Sequence, residues 1–214
     1  TAASALAKVY PDDGPHLIYL PERPFSMPAF AKDVKKVMKT HGRCVVAVSE
    51  GICDSKGKAI LASHTKEVDS HGNVQLSGTG ALGDILATEL KKRTGISRVR
   101  ADTFGYLQRS FPGVVSVTDA MEARGVGVAG VNLAVKKFSD GSIAIKRKDS
   151  KRYGVTFERV ALKSVAKETR HMPSKFIHAD GNQVTPAFME YVKPLVGPLP
   201  QMGRFKDHPV PKKK

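Results

Sequence analysis

The sequence has no tryptophan, five tyrosines and two cysteines in 214 residues. Two thiols, Cys44 and Cys53, cannot form a disulfide framework. Their spacing fits no metal knuckle, so reduced thiols in a cytosolic protein are expected. The seven histidines, His16, His41, His64, His71, His171, His178 and His208, include no H-x-x-x-H pair. With no C-x-x-C either, a structural zinc site is not expected. No apolar run approaches the roughly 18 residues of a transmembrane helix. Residues Thr1 to Lys8 have no basic region ahead of an apolar stretch, so they do not read as a signal peptide. They also lack an initiator methionine and read as the middle of a helix. The expectation is a chain cut from a longer one.

What is present is globular in composition: 41% hydrophobic, 26% charged, with a mean hydropathy of −0.25. That excludes collagen, coiled coil and global disorder. A chain of this length buries about 70% of its unfolded surface and needs no staples. Thirty-five Lys and Arg against 20 Asp and Glu give a formal net charge of +15. Such a charge suits nucleic acid, phosphorylated small molecules, or a protein whose acidic half lies elsewhere. The basic residues are spread (Lys35-Lys36, Lys91-Lys92-Arg93, Lys136-Lys137, Lys146-Arg147-Lys148, Lys151-Arg152, Lys212-Lys213-Lys214). Aromatic stacking platforms are scarce, which argues against nucleic acid.

Pattern along the chain predicts alternating strands and helices. Leu17 to Leu20 reads as a short buried strand. Pro28 to Thr40 reads as an amphipathic helix, capped by Ser26 and stopped by His41-Gly42. Cys44 to Val48 is continuously apolar, the mark of an internal strand covered on both faces. Strand, helix, strand at this spacing predicts a βαβ unit and a mostly parallel sheet. Residues 54–72 read as a polar excursion. A helix is predicted from Ala81 to Arg93, closed by Gly95, then a strand over Ser97 to Ala101. A long helix is predicted from Val117 to Phe138 with Ser116-x-x-Asp119 as capping box. Its Gly125, Gly127 and Gly130 should serve close packing on a neighbouring backbone. Ile143 and Ile145 alternate as strand, and Val155 and Phe157 begin another. Val160 to Lys167 and Pro186 to Val192 have a helical pattern. From Gly197 onward Pro and Lys dominate, as in a surface tail.

Four groups of residues invite a chemical reading. Gly78-x-Gly80-x-x-Gly83 opens a helix, as a dinucleotide-binding turn does, with Asp102 near the place of a ribose-binding acid. The lead-in Val74 to Ser77 is too short and polar for that site, and a glycine-rich loop into a helix is the plainer reading. Glu50 follows the strand 44–48, at the carboxyl end where open α/β sheets bind ligands. Position alone leaves a solvated loop acid equally open. Arg100, Tyr106 and Arg109 form a second cluster; Arg can fork onto phosphate, or pair with acids at the surface. His64, Asp69 and His71 lie in a polar segment without strand support and carry little.

Two segments together resemble the phosphofructokinase family. Cys44-Val45-Val46-Ala47-Val48-Ser49-Glu50-Gly51 is similar to that family's apolar strand ending in Glu-Gly. Arg100 through Phe104-Gly105-Tyr106-Leu107-Gln108-Arg109-Ser110 is similar to its Arg-x-x-x-Leu-Gly-(His/Tyr)-x-Gln-Arg signature. Ser116-x-x-Asp119 and the glycine-rich helix match the next segment, and the resemblance covers most of residues 1–196. Phe104 stands where Leu is usual, and Phe111 where small residues are common. The family moves a phosphoryl group to O1 of fructose 6-phosphate with Mg²⁺, in glycolysis.

The resemblance implies roles for particular residues. Glu50 would bond the sugar hydroxyls. Tyr106 and Arg109, with Leu107 and Gln108 between them, would hold the 6-phosphate. Arg100 would reach phosphate too, in the family often across a subunit interface. Tyr106 with Gln108-Arg109-Ser110 resembles the pyrophosphate-using branch; an ATP-using enzyme is the alternative. A non-catalytic nucleotide- or nucleic-acid-binding module is the alternative from another class. The family's donor loop, its catalytic Asp segment and its Met-Gly-Arg motif have no counterpart here. The expected fold is therefore α/β: a Rossmann-like three-layer sheet with helices on both faces, the C-terminal part of a two-domain phosphofructokinase fold. Residues 1–196 would be the sugar-phosphate portion and 197–214 a tail. No catalytic and no metal residue is expected in this chain; Mg²⁺ would sit in the absent half. The expected partners are fructose 6-phosphate, pyrophosphate, and a second copy (dimer or tetramer) or the absent half, with no membrane and no nucleic acid. The expected location is the cytoplasm.

Overall fold

The computed structural model describes residues 1–63, 81–105, 111–138, 140–166, 169–200, 202–205 and 210–211. In chain order these form a 3₁₀ helix (Ala2–Ala7), β1 (Leu17–Tyr19), α1 (Met27–His41), β2 (Val46–Val48), α2 (Ala81–Thr94), α3 (Val117–Val135), β3 (Ser142–Arg147), β4 (Val155–Val160) and α4 (Pro186–Val196). Short 3₁₀ turns lie at Leu61–Ser63, Leu162–Ser164 and Ser174–Phe176.

β1 and β2 pair in parallel, Leu17 opposite Val46 and Tyr19 opposite Val48. Side chains alternate across a strand, and this pair sorts them into two cores. Leu17, Tyr19, Val46 and Val48 face a core built with Phe30 and Val34 of α1 and Leu82, Leu86 and Leu90 of α2. Ile18, Leu20 and Ala47 face a second core with Ala2, Ala5, Phe176, Phe188 and Val192. Helices thus cover both faces of the parallel pair, the α/β layering expected from the sequence.

The expectation that 44–48 is the internal strand is corrected. Both faces of β2 are covered, but all three of its residues are only half-buried, and Val45 is half exposed. In this two-stranded sheet β1 is the more deeply covered of the pair. All its residues are buried, and the Ile18 amide donates away from β2 to the Asn182 carbonyl at 2.9 Å. A continuous apolar run reports cover on the faces and says nothing of the edges.

α1 ends as expected at Gly42, whose φ of 67° is left-handed and whose amide donates to the Met38 carbonyl at 2.9 Å. Ser26 occupies the N-cap position without making a side-chain cap bond. α2 closes in the same way at Gly95, φ 73°. α3 starts at Ser116, whose hydroxyl accepts from the Asp119 amide at 3.0 Å. None of its residues is buried. Its glycines do not approach a backbone: Gly125 lies against the Phe157 ring, where a Cβ would meet Cζ at 2.4 Å, while Gly127 faces open space.

β3 and β4 form an antiparallel hairpin, Ser142 opposite Val160 and Arg147 opposite Val155. The Arg147 guanidinium lies between the rings of Tyr153 and Tyr191, 4.8 and 4.6 Å from their centroids. It also donates to the Tyr191 carbonyl at 2.6 Å, which ties the hairpin to α4. Of the helical pattern over Val160 to Lys167, the described residues form only the turn Leu162–Ser164, since β4 takes Val160; Lys167 lies outside the described residues. Ser97 to Ala101, expected as a strand, is irregular with a bend at Ser97; no described strand pairs with it. Within the Pro/Lys-rich end, Arg204 reaches back to Asp12 and Asp13 at 2.8 and 3.0 Å and stacks over the Tyr10 ring.

Candidate functional site

Glu50 follows β2 by two residues, in a turn that its neighbours lock in place. The Ser49 amide donates to the Tyr19 carbonyl at 3.0 Å, which continues the parallel ladder past β2. The Gly51 amide donates to the Ser49 hydroxyl at 3.4 Å, and the Cys53 thiol to the Gly51 carbonyl at 3.2 Å. Ile52 is wholly buried in the first core. Glu50 is therefore a half-buried carboxylate on a turn pinned from both sides, at the carboxyl ends of two parallel strands.

Arg100 lies in the irregular segment after α2. Ile96 and Val99 of that segment pack on the same core as Ile52, Val46 and Val48. The turn carrying Glu50 and the segment carrying Arg100 are thus anchored in one body, while Arg100 itself is exposed. Gly105 has φ of 57°, a left-handed bend at which glycine avoids a penalty of about 1–2 kcal/mol. That bend lies immediately before the residues that resemble the phosphate-holding signature. Tyr106, Leu107, Gln108 and Arg109 lie outside the described residues, as do Gly78, Gly80, His64, Asp69 and His71.

One polar cluster at the same end of the sheet escaped the sequence reading. The Tyr19 hydroxyl donates to Asp33 Oδ2 at 2.8 Å, and the Asn182 side-chain amide donates to the same oxygen at 2.8 Å. Burial, then the Asp33 hydrogen bond, push the Tyr19 hydroxyl well above the usual phenol range, so it stays a donor. The cluster joins β1, α1 and the turn before α4. Residues 33 and 182 are far apart in sequence, and no local pattern links them. Burial likewise pushes the neighbouring Cys44 thiol up to about 11, so it is not a ready nucleophile.

Two open grooves among the described residues lie away from Glu50 and Arg100. One, of about 450 Å³, runs along α3 past Arg124, Val128 and Val131. The other, of about 420 Å³, lies between α1 and Arg93. No cluster of three His, Cys, Asp or Glu suited to a metal ion occurs among the described residues. No described helix is long and apolar enough to cross a membrane.

The family model described as Phosphofructokinase matches residues 2–134, which include both the turn at Glu50 and the segment from Arg100 to Arg109. The chain belongs to the phosphofructokinase family. Pyrophosphate–fructose 6-phosphate 1-phosphotransferase of Rhodospirillum rubrum is 52% identical to it over 215 aligned residues, covering 99% of this chain and 53% of that protein. The protein of the same name from Xanthomonas campestris is 36% identical, covering 91% of this chain and 46% of its own length. In three dimensions the chain is similar to the pyrophosphate-dependent phosphofructokinase of Nitrosospira multiformis. The TM-score is 0.72 at 28% identity, over 96% of this chain and 46% of that one. The chain thus spans about half the length of the relatives it matches.

Proposed function

We propose that this phosphofructokinase chain supplies the sugar-phosphate side of an enzyme that moves a phosphoryl group from pyrophosphate to O1 of fructose 6-phosphate, a glycolytic step. The observation that carries this reading is the 52% identity, over 99% of the chain, to a relative bearing that name. In that reaction the O1 hydroxyl oxygen attacks a phosphorus of pyrophosphate and gives up its proton, the bond to the bridging oxygen breaks, and that oxygen leaves on phosphate, which can take up the proton. Such transfer rests on in-line positioning and charge neutralisation. The residues of this chain bind and orient the acceptor. Glu50 accepts from sugar hydroxyls, Arg109 forks onto the 6-phosphate with Tyr106 donating beside it, and Arg100 adds a further cation. Leu107 and Gln108 line the same stretch.

Mg²⁺ would supply charge neutralisation at the donor. In this proposal its ligands come from the other half of the enzyme. Residues 1–196 would be the binding portion and 197–214 a tail. A homo-oligomer and a cytoplasmic location, where sugar phosphates are found, complete the proposal.

The test uses the full-length enzyme that contains this chain. A charge-assisted contact is worth about 1.5–3 kcal/mol. Arg109→Ala should therefore cut kcat/KM for fructose 6-phosphate by about 10- to 150-fold, with the pyrophosphate KM nearly unchanged. Tyr106→Phe should cost less, on the order of 1 kcal/mol. ATP should not replace pyrophosphate. Wild-type kinetics in Arg109→Ala would make Arg109 a surface arginine and remove the acceptor assignment.

A further inference from the structure

Gly83, the last glycine of Gly78-x-Gly80-x-x-Gly83, has no part in the proposed phosphoryl transfer, yet the fold gives it a specific neighbour. It is the third residue of α2, and a Cβ built on it would lie 2.7 Å from the Cβ of Ala101. Carbon atoms settle about 3.5–4.0 Å apart. An alanine methyl has no rotamer with which to yield, so the backbone at 101 would have to retreat by about 1 Å. α2 cannot move away instead, because Leu82, Leu86 and Leu90 bury it in the first core. The segment can move: Ala101 is exposed, and the side chains that anchor the segment, Ile96 and Val99, precede it. A methyl at 83 would therefore swing residues 100–105 outward and leave the core seated.

We infer that Gly83 is a positioning residue for the acceptor site. Its missing side chain sets how close to α2 the chain runs at Ala101, and so where Arg100 stands and where the bend at Gly105 falls. The inference rests on the proposed binding of fructose 6-phosphate by that segment. It gives the last glycine of the loop a purpose without a dinucleotide.

The experiment compares Gly83→Ala, Ala101→Gly, the double variant and Arg109→Ala in the full-length enzyme. The readouts are kcat and KM for both substrates, and Tm. A displacement of about 1 Å at a binding group can cost up to about 100-fold. Gly83→Ala should lower kcat/KM for fructose 6-phosphate by roughly 10- to 100-fold, while the pyrophosphate KM stays within about two-fold. Its Tm should be unchanged or higher, since alanine suits a helix interior better than glycine. The double variant should recover acceptor kinetics, because Ala101→Gly removes the atom in the way. A wild-type kcat/KM in Gly83→Ala, or a double variant that does not recover, overturns the inference. So does a Tm fall of more than about 5 °C in Gly83→Ala, which would make the contact a packing element alone. If Arg109→Ala impairs acceptor use and Gly83→Ala does not, only the inference falls. If neither impairs it, the acceptor reading falls first.

Discussion

His16 is 6% exposed, and its two ring nitrogens are treated differently. Nδ1 accepts from the Val45 amide at 3.0 Å, so the neutral ring carries its proton on Nε2. That nitrogen is buried and has no hydrogen-bond partner among the described residues. The His41 ring lies 5.2 Å away. Burial, and then the charge of His41, hold the His16 pKa below its ordinary value, with Lys8 and Arg43 adding to the effect. A lowered folded pKa means the unfolded chain takes up the proton first. The stability tied to neutral His16 is therefore whole above about pH 6.5 and is lost as the pH falls from there through the folded value. His16→Asn keeps an acceptor near Nδ1 and cannot titrate. Between pH 7.5 and 5.5 the wild-type Tm should fall more than that of His16→Asn. Equal falls would mean that His16 already titrates freely in the folded chain.

At the scale of elements, α4 ends against the start of α3. The last carbonyls of a helix have no intrahelical partners, and the carbonyls of Pro194 and Leu195 find theirs across the gap. The Thr118 hydroxyl donates to the Pro194 carbonyl at 2.9 Å, and the Ser116 hydroxyl donates to that of Leu195. The negative end of one helix thus meets the positive end of another. Ser116 serves both, since it also caps α3. Ser116→Ala should cost about 1–2 kcal/mol in urea unfolding, more than an ordinary surface hydroxyl. A loss under about 0.5 kcal/mol, the level of a neutral surface substitution, would show that water replaces both bonds.

The cap of α3 was legible in Ser116-x-x-Asp119, but its second partner was not, because it lies in α4. α1 was legible from its apolar face and its stop signal at Gly42, and α2 from its stop signal at Gly95. Segments whose state depends on a neighbour were not. Ser97 to Ala101 has strand composition but no described strand beside it, and Val160 went to the hairpin rather than to a helix. Glu50 follows its strand as its pattern suggested, whereas no described strand carries Arg100. The Tyr19–Asp33–Asn182 cluster and the Gly83–Ala101 contact, by contrast, exist only in three dimensions.

At the scale of the whole molecule, the outer side of α3 is unusual. Val117, Met121, Val128, Val131 and Val135 are all more than half exposed, and their spacing of three, four or seven residues places them along one stripe. A soluble surface seldom leaves so much apolar area uncovered. As an isolated chain the protein should therefore enhance the fluorescence of a hydrophobic dye such as ANS. Val128→Glu with Val131→Glu should reduce that signal by half or more and leave Tm within about 2 °C, the usual reach of exposed substitutions. A signal unchanged by the pair would place the sticky surface elsewhere.

The second core draws its members from opposite ends of the chain: Ala2, Ala5, Ile18 and Leu20 from the beginning, Phe176, Ile177, Phe188 and Val192 from near the end. A ribosome adding about 5–20 residues per second therefore releases the first set roughly 10–30 s before the second. Throughout that interval α1 and β2 can already cover one face of β1, while Ile18 and Leu20 on the other wait uncovered. Half of the packing on β1 thus waits until Phe176 to Val192 have been made. A nascent chain stalled before Phe176 would offer chaperones and proteases that bare face.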